Sequence, residues 1–357
     1  MAYISAVKTV KFPHQISQTE LKQFASNLFS DSFKDTVRLL EVFENAGIDS
    51  RNLCVPIEFF SKDVSFKEKN ELFNKIALEC SIRTIESLLQ ESKLEKSKIT
   101  DIISFTTTGL STPSLDALLI DKLKLNPTVN RTPIWGLGCA AGVSAIAKAK
   151  TIADSNPDAV VILIGVELCS LTFIRNDLSK SNFIATSLFS DGIASVIVTG
   201  ENSKHLIKNN FEIKITASQS KLYYDSEDVM GWEFLDEGFK VVFSKDIPSL
   251  VKSDIKNDLL EFLESRDVNL DDIRNYVVHP GGTKVINAYV ESVPLERKKL
   301  KNTINVLSEY GNMSSVTVIY VLEKFLKNGF ENGKGIMMSL GPGFSCEMLL
   351  LEMQNHS

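Results

Sequence analysis

The chain has 357 residues, of which 43% are hydrophobic, so it can bury a large two-part core and is not globally disordered. Its net charge is −6 and it contains no long basic run, which argues against nucleic acid as a partner. The five cysteines form no C-x-x-C pair, and no segment has the pattern of a signal peptide or a membrane span. We therefore expect a cytoplasmic protein with reduced thiols, no membrane partner and no bound metal.

The N-terminal part of the chain predicts one strand followed by helices. Alternating apolar and polar residues at 2–10 are typical of a half-buried strand. Ser17 with Glu20, and Ser65 with Glu68, have the spacing of capping boxes, which satisfy backbone N–H groups at a helix start. The predicted helices cover residues 17–29, 36–46 and 65–90, and Gly47 is expected to end the second of them.

From residue 102 onward, buried-type strands alternate with helical segments, which predicts an α/β layered core. Strands are predicted over residues 102–107, 159–166 and 193–198, and again over 276–278, 336–340 and 348–351. The second half repeats the order of the first, with a helix start at Asn312 much as at Cys139. We therefore predict two similar halves, residues 1–210 and 211–357.

The segment around Cys139 is the one that most strongly indicates chemistry. An extended piece through Ile134 and Trp135 meets glycines at 136 and 138, and Cys139 then opens a run of small apolar residues. A thiol at the start of a buried helix lies near the positive end of the helix dipole, which favours the thiolate and lowers the pKa. This arrangement is typical of a cysteine nucleophile.

Two other interpretations of this segment stay open on its residues alone. Most cysteines are small buried hydrophobic residues without a catalytic role. The glycines also match a loose G-x-G-x-x-x-G pattern with Glu167 as a possible ribose ligand, as in a nucleotide-binding oxidoreductase.

Two further residues, His279 and Asn312, are candidates to act together with Cys139. His279 follows a predicted strand and precedes Pro-Gly-Gly, where the backbone can bend around a ligand, although a core histidine is an alternative. Asn312 precedes a helix and could serve only as its cap. Together the three supply a thiolate, an imidazole and an amide, which are the groups needed for acyl transfer through a thioester.

Four motifs in this order resemble the signatures of the type III polyketide synthases, the chalcone synthase family. They are G-C-A-A-G at 138–142, L-F-S-D-G at 188–192, V-H-P-G-G at 278–282 and S-E-Y-G-N-M-S-S at 308–315. The resemblance extends over residues 40–352. It implies a thiolase-like αβαβα fold, a homodimer, and an acyl-CoA starter and malonyl-CoA as substrates, with no metal or redox cofactor.

The resemblance also implies a role for each matching residue. Cys139, paired with His279 as thiolate and imidazolium, would take the starter acyl group, and His279 and Asn312 would stabilise the enolate left by decarboxylation of malonyl-CoA. The residues implied in substrate or coenzyme A contacts are Phe189, Thr107 and Thr172, which would line the pocket, and Arg51, which would contact a coenzyme A phosphate.

Where this chain departs from plant members of the family, the differences concern the substrate pocket. Val241 stands where they carry a bulky Phe at the pocket mouth, and Trp232 stands where they carry a small glycine. The segment 339–343, S-L-G-P-G, lacks the first glycine of the family's loop, and 106–113 and 135–139 are more similar to bacterial alkylpyrone or alkylresorcinol synthases. We expect a medium- or long-chain starter extended two or three times, although Trp232 could also be a core residue.

Besides the oxidoreductase, two rival functions share the Cys, His and Asn set or the fold. A ketoacyl-carrier-protein synthase III-like condensing enzyme would need an acidic carrier protein in place of malonyl-CoA alone. A noncatalytic thiolase-fold binding protein would have no use for Cys139, His279 and Asn312.

Overall fold

The computed structural model describes residues 1–28, 36–244, 247–293 and 295–356. Its strands are β1 (Ala2–Val10), β2 (His14–Ser17), β3 (Ser50–Leu53), β4 (Asp101–Thr106), β5 (Asn130–Trp135), β6 (Val160–Leu168), β7 (Asp191–Gly200), β8 (Phe211–Leu222), β9 (Met230–Leu235), β10 (Gly238–Phe243), β11 (Ile273–Val278), β12 (Gly333–Gly341) and β13 (Ser345–Asn355). Its α-helices are α1 (Gln18–Leu28), α2 (Thr36–Glu44), α3 (Phe66–Ser92), α4 (Leu115–Leu123), α5 (Ala141–Ser155), α6 (Lys180–Leu188), α7 (Ile247–Leu250), α8 (Lys256–Glu264), α9 (Thr283–Ser292), α10 (Lys301–Tyr310) and α11 (Thr317–Asn328).

Strands from both ends of the chain join in one mixed sheet with the order β11-β12-β13-β8-β1-β7-β6-β4-β5. The strands before residue 210 occupy one side of this sheet, and the strands after it occupy the other. β4 runs parallel to β5 and β6, and β11 runs parallel to β12, whereas the remaining neighbours are antiparallel. The division of the chain into 1–210 and 211–357 stays a prediction.

The hydrophobic core has three parts: a central part between the two halves of the sheet and an outer part on the far face of each half. The fold therefore has five layers, with helices outside, between and outside the two half-sheets. In the central part, fully buried residues of α5 and α11, such as Ala145 and Ile319, pack against strand residues from both halves of the sheet, such as Leu163 and Leu349. A second core lies between the first-half strands and the N-terminal helices, and a third lies between the second-half strands and α8–α10. This arrangement is the predicted thiolase-like αβαβα fold, which is confirmed.

The two capping boxes predicted from the sequence are also confirmed. Ser65 Oγ accepts a hydrogen bond from the Glu68 N–H at 3.3 Å, and the Glu68 carboxylate accepts from the Ser65 N–H at 3.0 Å. Ser17 and Glu20 make the same exchange at the start of α1. The second helix ends at Glu44, before the predicted end at Gly47, whose φ of +70° lies in the segment that follows. No helix in the part of the chain that the structure covers is long and apolar enough to cross a bilayer.

One element that the sequence analysis did not predict is the hairpin of β9 and β10. Among the described strands, these two pair only with each other, and Val241 lies opposite Trp232 in their register. The alternation of apolar and polar residues is weak here. The last three residues of β9 are exposed although two of them, Phe234 and Leu235, are apolar, whereas Gly238 and Phe239 at the start of β10 are buried.

Candidate active site

Cys139 lies in a short 3₁₀ turn, Gly138–Ala140, between the end of β5 and the start of α5. The turn requires glycine at 138, whose φ is +47° and whose missing side chain leaves room for the Pro342 ring. Cys139 is partly accessible, and its Sγ lies 3.6 Å from the Ser314 hydroxyl oxygen. The structure therefore presents the thiol where the sequence predicted it, immediately before the buried helix.

His279 follows β11 directly and is 3% exposed. Its backbone N–H donates to the Met338 carbonyl of the parallel neighbour β12 at 2.9 Å, which fixes the residue at the strand end. Within the described residues, neither ring nitrogen of His279 has a hydrogen-bond partner. Because buried polar atoms are nearly always paired, two unpaired imidazole nitrogens indicate groups kept free for a ligand.

Asn312 connects the other two residues. Its side-chain Nδ2 donates to the Gly281 carbonyl in the loop after His279 at 3.0 Å, and its Oδ1 accepts from the Ser314 N–H at 2.8 Å. Ser314 in turn contacts Cys139, so a short network links Asn312 to Cys139 on one side and to the loop after His279 on the other. Asn312 does cap the turn that follows it, as the alternative predicted, but its amide nitrogen is directed toward the His279 loop.

The backbone of Asn312 is bridged to Phe189. The Asn312 N–H donates to the Leu188 carbonyl at 2.9 Å, and the Ser190 N–H donates to the Asn312 carbonyl at 2.9 Å. Phe189 therefore lies beside the polar groups, where the sequence predicted an apolar wall.

Burial shifts the pKa values of Cys139 and His279 away from those that the sequence prediction implies. Desolvation raises the pKa of Cys139 to about 12, the nearby Glu167 adding to the effect, and burial lowers the pKa of His279 to about 3. The hydrogen-bond contact with Ser314 lowers the pKa of Cys139 and so opposes part of the effect of burial. These shifts favour a neutral thiol and a neutral imidazole for the two groups taken singly, and the thiolate–imidazolium pair stays a prediction.

Glu167 is a fully buried carboxyl behind the thiol. It accepts hydrogen bonds from the Thr107 N–H at 3.2 Å, the Thr108 hydroxyl at 2.9 Å and the Ser315 hydroxyl. Burial raises the pKa of Glu167 to about 7. The oxidoreductase alternative is wrong, since a carboxyl enclosed in this way is not placed to bind a ribose.

A large apolar cavity adjoins the polar groups at Phe189. It contains about 630 Å³ of empty space, including the part open to solvent. Its lining includes four of the predicted pocket residues, namely Phe189, Thr172, Trp232 and Val241. The Phe189 ring lies 6.3 Å from that of Trp232 and 5.8 Å from that of Phe243, so these rings form an aromatic cluster at the edge of the cavity. Thr107 lies apart from this lining, with its hydroxyl on Glu167, and its role in substrate binding stays a prediction.

The structure corrects the role predicted for Arg51. This residue is 1% exposed, and its guanidinium donates to the carbonyls of Thr186 at 2.6 Å and Phe189 at 2.9 Å and to the Gln18 side chain at 2.8 Å. Burial lowers the pKa of Arg51 to about 9, although the nearby Asp191 opposes the shift. With its hydrogen bonds directed into the protein, the guanidinium is not free to contact a coenzyme A phosphate.

Several residues of the site were missed by the sequence analysis. Ser314 and Ser315 lie in a quoted motif but were given no role, and Cys169 lines the apolar cavity. The signal that could have identified the serines is their position directly after Asn312, at the start of a turn. Nothing in the sequence near Cys169 distinguishes it from an ordinary core cysteine.

A cysteine, a histidine and an asparagine joined at the ends of strands and central helices of a five-layered αβαβα fold define a thiolase-like condensing enzyme. Sequence models of the N-terminal and C-terminal domains of chalcone and stilbene synthases match residues 56–202 and 214–354. The chain belongs to the chalcone and stilbene synthase family and is a type III polyketide synthase, a decarboxylating condensing acyltransferase.

Individual relatives support this assignment over the whole chain. The chain is 41% identical to a putative chalcone synthase of Bacillus subtilis, covering 99% of both sequences. It is 31% identical to the 1,3,6,8-tetrahydroxynaphthalene synthase of Streptomyces peucetius subsp. caesius, covering 98% of this chain and 92% of the relative.

Two solved structures share the fold. One is the 1,3,6,8-tetrahydroxynaphthalene synthase of Streptomyces coelicolor, with a TM-score of 0.93 and 26% identity over 99% of both chains. The other is the C-terminal type III polyketide synthase domain of Steely1 from Dictyostelium, with a TM-score of 0.90 and 27% identity, covering 100% of this chain and 99% of that one.

The lowered pKa of His279 predicts a specific dependence of stability on pH. The unfolded chain binds a proton at this residue below its ordinary pKa of 6.5, whereas the folded chain does so only near 3. The contribution is therefore present above that ordinary pKa and is lost as the pH falls toward the folded value. Between about pH 7 and about pH 5, the unfolding free energy of the unmodified protein should fall by about 2 kcal/mol more than that of His279→Gln.

Urea unfolding of both proteins at the two pH values measures this difference. His205→Gln, at an exposed histidine, is the matched control and should lose as much stability as the unmodified protein. An equal loss in His279→Gln would show that His279 titrates normally in the folded protein.

Proposed function

We propose that this polyketide synthase loads a medium- or long-chain fatty acyl group from coenzyme A onto Cys139 and extends it two or three times with malonyl-CoA. The products on this proposal are alkylpyrones or alkylresorcinols. The observation that carries the proposal is the apolar cavity beside Phe189. Val241, in its lining, stands where plant members of the family carry a bulky Phe. Cys139, His279 and Asn312 supply the groups that the reaction needs, so we expect no metal or redox cofactor, and the free thiols suit the cytoplasm.

Loading begins from the neutral pair of Cys139 and His279. As the starter thioester enters, a ring nitrogen of His279 accepts the Cys139 proton, and the sulfur attacks the thioester carbonyl. The carbon–sulfur bond to coenzyme A breaks, the departing thiolate takes the proton from His279, and the acyl group remains on Cys139. The neutral imidazole suits this step because one of its nitrogens can accept a proton.

In the extension step, His279 and Asn312 act as hydrogen-bond donors and the Cys139 thiolate is the leaving group. Malonyl-CoA loses carbon dioxide, and the negative charge moves onto its thioester oxygen. The remaining N–H of His279 and the second amide hydrogen of Asn312, whose first is directed to Gly281, are the donors for that oxygen. The enolate carbon then attacks the acyl-Cys139 carbonyl and displaces the Cys139 thiolate, which takes a proton from solvent.

The cavity favours an aliphatic starter. Its walls are mainly aliphatic and aromatic side chains from α1, α6 and the β9–β10 hairpin, so methylene groups gain free energy by entering it. Val241 is 5% exposed and faces this space opposite Trp232, so its small side chain leaves volume that an aromatic side chain would fill. Trp232 and Phe189 limit the space on the side of the polar groups.

We further propose that the enzyme is a homodimer. β5 is at the edge of the main sheet, and its Trp135 is 43% exposed beside Phe234, which is 58% exposed. Such an open edge with exposed aromatic residues is suited to pairing with a second copy.

Light scattering coupled to size exclusion is expected to give twice the chain mass for the unmodified protein. Trp135→Lys should shift the equilibrium toward the monomer, because it places a charge on the edge that pairs. A surface control, Lys67→Met, should leave the mass unchanged. A monomeric unmodified protein at micromolar concentration would contradict the proposal.

Replacing Asn312 tests the division of labour within the site. In Asn312→Ala, decarboxylation of malonyl-CoA and condensation should slow by about a hundredfold or more, because one oxyanion donor is lost. Transfer of a radiolabelled starter to Cys139 should remain measurable, since loading relies on His279. Asn328→Ala, at an exposed asparagine, is the control. Unchanged decarboxylation, or complete loss of loading, would argue against the assigned role.

The starter preference is tested by kcat/KM across acetyl-, hexanoyl-, lauroyl-, palmitoyl- and coumaroyl-CoA, with malonyl-CoA alone as a further condition. Each buried methylene can add about 0.8 kcal/mol, so the preference should rise steeply with chain length until the cavity is full. Val241→Phe should shift the optimum toward shorter starters.

Val242→Phe is the matched control, because neighbouring residues of a strand face opposite sides and Val242 is not part of the cavity wall. Preference for coumaroyl-CoA, a flat profile, or efficient product formation from malonyl-CoA alone would refute the long-chain proposal.

A further inference from the structure

The β9–β10 hairpin forms one wall of the apolar cavity but is not part of the main sheet. It contributes Trp232, Phe239 and Val241 to the lining. Because its strands pair with no other strand in the part of the chain that the structure describes, backbone hydrogen bonds to the main sheet do not fix its position there. A two-stranded hairpin is marginally stable on its own, so contacts with the rest of the protein must determine where this wall stands.

Aromatic packing supplies one set of these contacts. The Phe239 ring lies 5.2 Å from that of Phe66, and the Phe234 ring lies 5.9 Å from that of Trp135. Aromatic pairs are favourable over ring-centroid distances of about 4.5 to 7 Å, so these contacts by themselves allow a range of hairpin positions.

A buried lysine supplies a directional contact at the hairpin tip. Lys69, in the first turn of α3, is 8% exposed, and its Nζ donates to the Glu237 carbonyl in the β9–β10 turn at 3.1 Å. The same Nζ donates to the Phe173 carbonyl at 3.1 Å. Phe173 and its neighbour Thr172 line the cavity from another segment, so one ammonium group joins two walls of the cavity.

Burying the charged ammonium group of Lys69 costs free energy, which argues that the residue has a defined role. Burial lowers the pKa of Lys69, and Asp63 and Glu237 offset this only in part. Among the described residues, Lys69 forms no salt bridge, and the two carbonyl groups accept its hydrogen bonds while Asp63 and Glu237 favour its charge from farther away. A buried charge held in this way is sensitive to the position of both carbonyl groups and therefore restrains both.

We propose that Lys69 is a positioning residue that sets the width of the starter cavity by holding the β9–β10 turn at a fixed distance from the Phe173 segment. The inference rests on the proposed function in that the cavity is taken to hold the acyl chain. It adds a residue outside the cavity lining to those that determine substrate length.

The test compares Lys69→Met, Lys69→Arg and Lys67→Met with the unmodified enzyme. Methionine matches the lysine stem in length but donates no hydrogen bond, so the two walls should separate. The kcat/KM for the next longer starter, relative to the best starter, should then rise by about fivefold or more, a range that pocket contacts can supply. Lys69→Arg retains donors and should restore most of the original profile.

Two readouts separate this role from a general loss of structure. Lys67 is on the same helix turn with its side chain 84% exposed, so Lys67→Met should keep the original profile. Decarboxylation of malonyl-CoA without a starter depends on His279 and Asn312 and should change by no more than about twofold in Lys69→Met. If Lys69→Met does not fold, Lys69→Gln, whose shorter side chain cannot reach both carbonyls, serves in its place.

The proposal is overturned if the Lys69 variant keeps the length profile of the unmodified enzyme, or if it loses all starters and decarboxylation in equal proportion. Preference of the unmodified enzyme for coumaroyl-CoA would instead refute the proposed starter class. In that case the ratio of palmitoyl- to coumaroyl-CoA activity in Lys69→Met still tests whether Lys69 sets the cavity width. Failure of the proposed starter class and failure of the proposed role of Lys69 are therefore distinguishable.

Discussion

The active site depends on a backbone contact that excludes any side chain. The Ser315 carbonyl lies so close to Gly142 on α5 that a Cβ at that position would overlap with it. This approach brings the turn after Asn312 against the helix that begins beyond Cys139, and the Ser314 hydroxyl then meets the Cys139 sulfur. The two central helices of the fold thereby place residues from distant parts of the chain in one network. Packing density leaves little freedom to adjust such a contact, so the site is preorganised by the core.

Burial of the same groups also affects their charge. Cys139, His279 and Glu167 lie beside the central core that holds α5 and α11 in contact, and burial there favours the neutral form of each. A neutral imidazole with two unpaired nitrogens can accept the thiol proton in one step and donate to an oxyanion in the next. The low polarity also strengthens hydrogen bonds to the charge that develops during decarboxylation.

Local sequence signals predicted much of this structure, and long-range packing accounts for the rest. The capping boxes, the buried strands and the positions of Cys139, His279 and Asn312 follow from residues adjacent in sequence. The pKa of Cys139 was predicted in the wrong direction, because the helix dipole is a local effect whereas desolvation arises from other segments. The role of Arg51 was predicted wrongly for the same reason, since the three groups that accept its hydrogen bonds belong to α1 and to the end of α6. The hairpin was missed because its exposed strand carries little periodic pattern.

The structure separates the parts that carry out the chemistry from the parts that select the substrate. The nucleophile and the oxyanion donors are attached to the main sheet and its central helices, which form the most deeply buried part of the protein. Much of the cavity wall belongs instead to α1, α6 and the β9–β10 hairpin, outside that core. Phe189 lies at the boundary, because its backbone is bridged to Asn312 while its ring contacts Trp232. Changes in the wall can therefore alter which starter fits without moving the catalytic groups, provided that the backbone at Phe189 stays in place. Arg51, which donates to the Phe189 carbonyl from the buried side, restrains that backbone.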